Sequence, residues 1–125
     1  EWITTTADKS DGFTLSVRVR YNELVTVTGS PTLEVTNGNQ GTGSGRGPHT
    51  LVYASGSGTT KLVFSLAIAA GNAATNAGDI LSIGAQNLAK PGGATIKDTA
   101  DGSTDSAVAI SGAQGTAAGT LTVAA

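Results

Sequence analysis

Along Phe13 to Tyr21 apolar and polar residues alternate over nine positions. A period of two places Phe13, Leu15, Val17, Val19 and Tyr21 on one face of a strand and Thr14, Ser16, Arg18 and Arg20 on the other. Val25 and Val27 predict a second short strand, which Gly29-Ser30-Pro31 ends, and Thr32 to Thr36 resumes with Leu33 and Val35 apolar. Leu51 to Tyr53 and Lys61 to Ile68 predict a hairpin across Ser55 to Gly58, with Leu62, Phe64, Leu66 and Ile68 turned to a core. Further short strands are expected at Ile80 to Ile83, Ala94 to Lys97, Ala107 to Ile110 and Leu121 to Val123, and one brief helix-like patch near Ala67 to Ala77. The pattern predicts an all-β protein of about eight or nine strands.

Between these strands lie segments with too little apolar surface to pack. Asn39 to His49 is rich in Gly and reads as a long exposed loop. Gln86 to Gly93 reads as a turn region around Pro91, Asp98 to Asp105 as a polar turn, and Gly112 to Gly119 as a flexible connection.

Composition narrows the function classes. In 125 residues there is room for one domain with its own core. Net charge is −2 and the seven Lys and Arg are scattered, so a phosphate-tracking basic face is not expected and nucleic acid is not a predicted partner. With no Cys there is neither a disulfide framework nor a thiolate metal site. No apolar run approaches the roughly 20 residues needed to span a bilayer, so membrane insertion is not predicted.

Two stretches carry a resemblance. Val25-Thr-Val-Thr-Gly-Ser-Pro-Thr-Leu33 followed by Asn37-Gly38, and Tyr53-Ala-Ser-Gly-Ser-Gly-Thr59 followed by Leu62 to Phe64, Gly71, Asp79-Ile80 and Gly92 to Asp98, stand in the order and spacing of a known module. The chain resembles the immunoglobulin-like β-sandwich modules repeated in bacterial surface and adhesin proteins and carried on phage virion proteins. The resemblance covers roughly residues 10 to 111, and its departures are the long Gly-rich insertion between Gly38 and His49 and the missing second aromatic at Ser65-Leu66. It implies an immunoglobulin-like antiparallel β-sandwich over residues 11–111, with a short N-terminal arm at 1–10 and a C-terminal arm or added strand at 112–125.

Candidate chemistry is sparse. His49 is the single His, beside Pro48 in the predicted loop, with no nucleophile and base spaced for a triad, so it reads as a solvent-exposed loop residue and no enzyme is expected. Asp98, Asp101 and Asp105 share a turn. They do not fit an EF-hand loop, and two readings stay open: a Ca²⁺ site, or carboxylates capping their own turn. No other cofactor is expected. Arg18 and Arg20, on one strand face, are expected either to pair across strands with Glu23 and Glu34 or to meet a partner. Trp2 and Ile3 sit in a polar arm, and the Trp either packs back or anchors in a neighbouring subunit. Leu121 and Val123 add a strand to their own sheet or to another chain's. Partner contacts are therefore expected from Trp2, Ile3, Arg18, Arg20, Arg46, His49, Leu121 and Val123.

The function these features imply is structural. An outer, decoration- or cement-type subunit on the virion surface of a phage, or of a similar extracellular assembly, is expected, its partners being a major capsid or filament protein and other copies of itself. The alternative is an adhesion module on the bacterial cell surface whose loops touch a glycan or host-surface protein. The scarcity of aromatic residues argues against a carbohydrate-active enzyme.

Overall fold

The computed structural model describes residues 1–38, 47–72 and 75–125. Its strands are β1 (Ala7–Asp8), β2 (Phe13–Thr28), β3 (Thr32–Asn37), β4 (His49–Ser55), β5 (Thr59–Ile68), β6 (Ile80–Ser82), β7 (Gln86–Asn87), β8 (Thr95–Asp98), β9 (Ala109–Ile110) and β10 (Thr120–Ala124), with one α-helix, α1 (Gly112–Ala118). Eight of these form a curled sheet in the order β1-β10-β6-β3-β4-β5-β2-β8, and β7 pairs with β9 in a small second sheet. The protein is mostly β, as the alternation predicts.

The apolar face of β2 sets the register. Leu15 and Val17 are buried, and pairing with β5 brings Val17 opposite Phe64 and Val19 opposite Leu62. Leu33, Val35, Leu51, Leu81, Ile96 and Val123 complete the same core from five other strands. Tyr53 meets Phe64 edge to face, ring centroids 6.2 Å apart, and its hydroxyl accepts from the Ser57 amide at 2.8 Å. The β4–β5 turn needs glycine at position 56, where φ is +111° and a Cβ would lie 2.0 Å from the Lys61 carbonyl oxygen.

Several expectations are corrected. The two strands read at Phe13 to Tyr21 and at Val25 to Val27 are one strand of 16 residues, with a register shift between Arg20 and Val25. The patch read as helical runs as strand through Ile68, because β5 stays paired with β2 to its end. The helix instead stands where a flexible connection is expected. Ser111 accepts from the Gln114 amide at 3.1 Å while the Gln114 side chain accepts from the Ser111 amide at 2.8 Å, a reciprocal cap that offsets the poor helix propensity of the glycines. The turn over Gln86 to Gly93 holds β7 and a 3-10 turn at Pro91–Gly93.

Both terminal segments run inside this framework. Residues 1–4 lie antiparallel along β2: the Glu1 backbone nitrogen donates to Arg18 O at 2.7 Å, the Arg18 amide donates to Glu1 O at 2.8 Å, and the Ile3 amide donates to Ser16 O at 2.9 Å. The chain then crosses over, and β1 pairs in parallel with β10, Ala7 opposite Val123. Leu121 and Val123 are buried in this protein's own sheet, where β10 also pairs with β6. Trp2 packs back against the core, and its ring nitrogen donates to Gly119 O at 3.1 Å.

Candidate functional site

The edge of β2 is covered in two pieces with a gap between them. Residues 1–4 cover Thr14 to Arg18, and β8 pairs with Val25 to Thr28. In an antiparallel strand every second residue turns both backbone groups to the same side. Arg18 bonds the arm with both its N–H and its C=O, so Arg20, still in register with β5 opposite Lys61, presents its own to the same edge; beyond Arg20 the register shifts. Among the described residues no strand pairs there.

A slot of about 450 Å³ opens along this gap. Val19 and Tyr21 of β2 form one wall; Val108, Ile110 and the α1 residue Ala118 form the other; Leu33, Ile83 and Leu88 are its floor. The wall opposite β2 is held by the Tyr21 hydroxyl, which donates to Ala107 O at 2.9 Å, and by the Leu88 amide, which donates to Val108 O at 2.9 Å. Burial pushes the Tyr21 phenol above its ordinary value, so it remains a neutral donor. Arg18 and Arg20 stand on the outer rim and share one carboxylate: Glu1 Oε1 accepts from Arg18 Nη1 at 3.0 Å and from Arg20 Nε at 2.7 Å. Those charged hydrogen bonds hold the Glu1 carboxyl below the usual range.

Of the predicted contact residues the slot is lined by Arg18 and Arg20; Trp2 and Ile3 do not line it but follow Glu1, which does. The predicted acidic partners of Arg18 and Arg20 are elsewhere. Glu23 lies beside Asp98, whose charge pushes the Glu23 carboxyl up, and the Glu34 backbone is bonded on both sides by the Gln86 side chain, at 2.8 and 2.7 Å. Glu1 takes their place. Alternation shows which way the arginines point, whereas a pairing between residue 1 and residues 18 and 20 depends on the arm folding back, which no local signal encodes.

No family model, curated protein or solved structure matches this chain. Arg46 lies outside the described residues. In the polar turn, Asp98 Oδ1 accepts from the Ala100 amide at 2.8 Å, and Asp101 accepts from the hydroxyls of Ser103 and Thr104, which lowers its carboxyl; Asp105 bridges Lys97 through the backbone. Among the described residues no three His, Cys, Asp or Glu side chains converge as a metal-holding group.

His49 is corrected from loop to core. It opens β4 and is 5% exposed, because pairing opposite Val35 turns its ring inward. Its Nε2 lies 3.0 Å from the Thr75 hydroxyl in a buried polar cluster. Beside it, Asp79 Oδ2 accepts from Asn37 Nδ2 and from the Asn76 amide, both at 2.8 Å, and the Lys9 ammonium donates to Thr75 O at 2.7 Å and to Asn76 Oδ1 at 3.0 Å. Spacing in the sequence gives no hint of this cluster, since its members come from four separate segments. A hydroxyl next to an imidazole is the start of a nucleophile and base pair, but Thr75 is 1% exposed and its oxygen points at the ring, not at solvent.

Burial pushes the His49 imidazole below its ordinary value of 6.5, against an opposing pull from Asp79. The folded protein thus resists a proton that the unfolded chain accepts near that value. Stability from the neutral ring is complete above the unfolded value and shrinks as pH falls through it. We expect the melting temperature to drop between about pH 7 and 5, and His49→Gln to flatten that limb. An unchanged limb in the variant would assign the loss to other groups.

Proposed function

We propose that this chain is a non-enzymatic structural protein that docks onto other protein subunits, most specifically an outer, decoration- or cement-type subunit of a phage particle or similar extracellular assembly. The observation that carries the reading is the slot along β2, with Val19, Tyr21, Leu33, Ile83 and Leu88 as its apolar lining and Arg18 and Arg20 at its rim. An open edge offers backbone donors and acceptors to another chain, and proteins otherwise keep such edges short, charged or covered. Here the neighbouring edge of β3 is covered, by the Gln86 side chain bonding Glu34 and by Ala89 pairing with Thr32. The apolar lining and arginine rim at β2 support docking there.

We propose likewise that the fold is an immunoglobulin-like sandwich. It is supported by the first strand switching sides, with residues 1–4 antiparallel to β2 and β1 parallel to β10. Burial of the Thr75 and His49 pair supports the non-enzymatic reading.

The test is recovery of the protein from its native source, with intact mass and sedimentation measured together. A chain near 12.2 kDa travelling with a large particle, and released by the Arg18→Glu, Arg20→Glu double variant, is the expected result. A chain of that mass travelling alone overturns it. A parent polypeptide many times longer turns the reading to the adhesion module.

A further inference from the structure

We infer that Asn37-Gly38 is a site of spontaneous deamidation which the native fold holds closed, and that the reaction, once it occurs in an unfolded chain, prevents that chain from refolding. Asparagine is a thermolabile residue, and a glycine after it leaves the attacking nitrogen unhindered. This is the single Asn-Gly pair in the chain. In the reaction the Gly38 nitrogen gives up its proton and bonds to Asn37 Cγ, the Cγ–Nδ2 bond breaks, and ammonia departs with the proton. Water then opens the five-membered imide at one of its two carbonyls, leaving aspartate or isoaspartate. Either product carries a carboxylate in place of a neutral amide, and no oxidant or reductant is consumed.

Three features of the fold oppose the first step. Closing the imide ring requires residue 37 to leave the extended conformation, and Asn37 is held in it as the last residue of β3, paired opposite Leu81. The Gly38 amide is already donated to Ile80 O at 2.9 Å, so its proton is not free to leave. The Asn37 side chain is completely buried and donates to Asp79 Oδ2 at 2.8 Å, so turning its amide toward Gly38 breaks a buried hydrogen bond to a carboxylate.

The same contacts make the product a misfit. An aspartate at position 37 has no donor for Asp79 and sets a second negative charge against the first, at a place where both residues are completely buried. Two carboxylates so close do not both ionise, and removal from water penalises each. The cations of the cluster are engaged: Lys9 Nζ donates to Thr75 O and Asn76 Oδ1, and His49 Nε2 lies against the Thr75 hydroxyl. Isoaspartate instead lengthens the main chain by one carbon and moves Gly38 off the Ile80 carbonyl. The chain thus records time spent unfolded as a covalent change.

The test holds the intact protein at mildly alkaline pH for graded times, in guanidinium chloride and in native buffer. Each sample is returned to native buffer, folded chains are separated from unfolded ones by size exclusion, and the peptide spanning Asn37 is weighed from both. Deamidation, read as a gain of one mass unit, is expected to run at least about a hundredfold slower in native buffer, where only the small unfolded fraction reacts. The refolding yield is expected to fall in step with that gain, the modified chains collecting in the unfolded fraction. Gly38→Ala separates this loss from other damage. A Cβ at position 38 lies 3.4 Å from the Ile80 carbonyl oxygen, an ordinary contact, so the variant is expected to fold, and its methyl group hinders the attack. Its refolding yield should survive the exposure that disables the parent. Equal deamidation rates in the two buffers, or modified parent chains that refold as fully as unmodified ones, overturns the inference without recourse to any variant. So does a folded Gly38→Ala protein that loses its refolding yield as fast as the parent.

Discussion

Asp79→Ala is expected to cost about 2–5 kcal/mol of folding stability, measured as the shift in a denaturant midpoint at pH 7. Asp79 is completely buried, and its Oδ2 accepts from the Asn37 side chain and from the Asn76 amide. Truncation removes an acceptor from two donors inside the protein, each worth about 1–3 kcal/mol when left without it, and opens a small void between β3 and the turn that leads to β6. The same carboxylate pulls the His49 imidazole upward, so its loss should steepen the acid sensitivity of the melting temperature. A cost under about 1 kcal/mol would mean that water reaches the cluster and replaces the carboxylate.

Gly115→Ala sets two effects against each other. Alanine is favoured over glycine within a helix by about 1 kcal/mol, so propensity alone predicts a gain for α1. Packing predicts a loss, because a Cβ at position 115 would stand 2.0 Å from the Ile83 carbonyl oxygen, a backbone atom that has no rotamer to turn away. The overlap exceeds what side-chain adjustment can absorb, so α1 must lift from the end of β6, at a net cost of about 1–3 kcal/mol. Gln114 and Ala118 border the slot, so the lift should also widen it. A variant as stable as the parent would show that the helix is free to shift away from Ile83 at no cost.

The strands were legible where side chains alternate. Phe13 to Tyr21 and Lys61 to Ile68 announce both their conformation and their buried face, since burial of one face leaves only one workable register. The slot was legible only in part. Arg18 and Arg20 are marked as outward-facing by the same alternation, yet the slot beside them lies along the six residues 19–24 between Arg18, opposite Glu1, and Val25, where β8 begins to pair, a matter of tertiary pairing and not of local pattern. His49 misled because its neighbours Gly47 and Pro48 look like loop, while its burial depends on the pairing of β4 with β3. Helix α1 misled for the opposite reason: a Gly- and Ala-rich stretch seems too weak to fold, and the cap formed by Ser111 and Gln114, together with contact at Ile83, outweighs that weakness.

The parallel pairing of β1 with β10 has a mechanical consequence. Ala7 and Asp8 lie opposite Val123 and Ala124, and the Lys9 amide donates to Ala124 O at 3.0 Å. Tension applied through the two ends of the chain would draw these strands past one another in opposite directions, along their length. The bonds between them would then be loaded together in shear and not peeled one at a time, so yielding requires several to fail at once. A fold paired this way resists stretching best along the direction of β1 and β10.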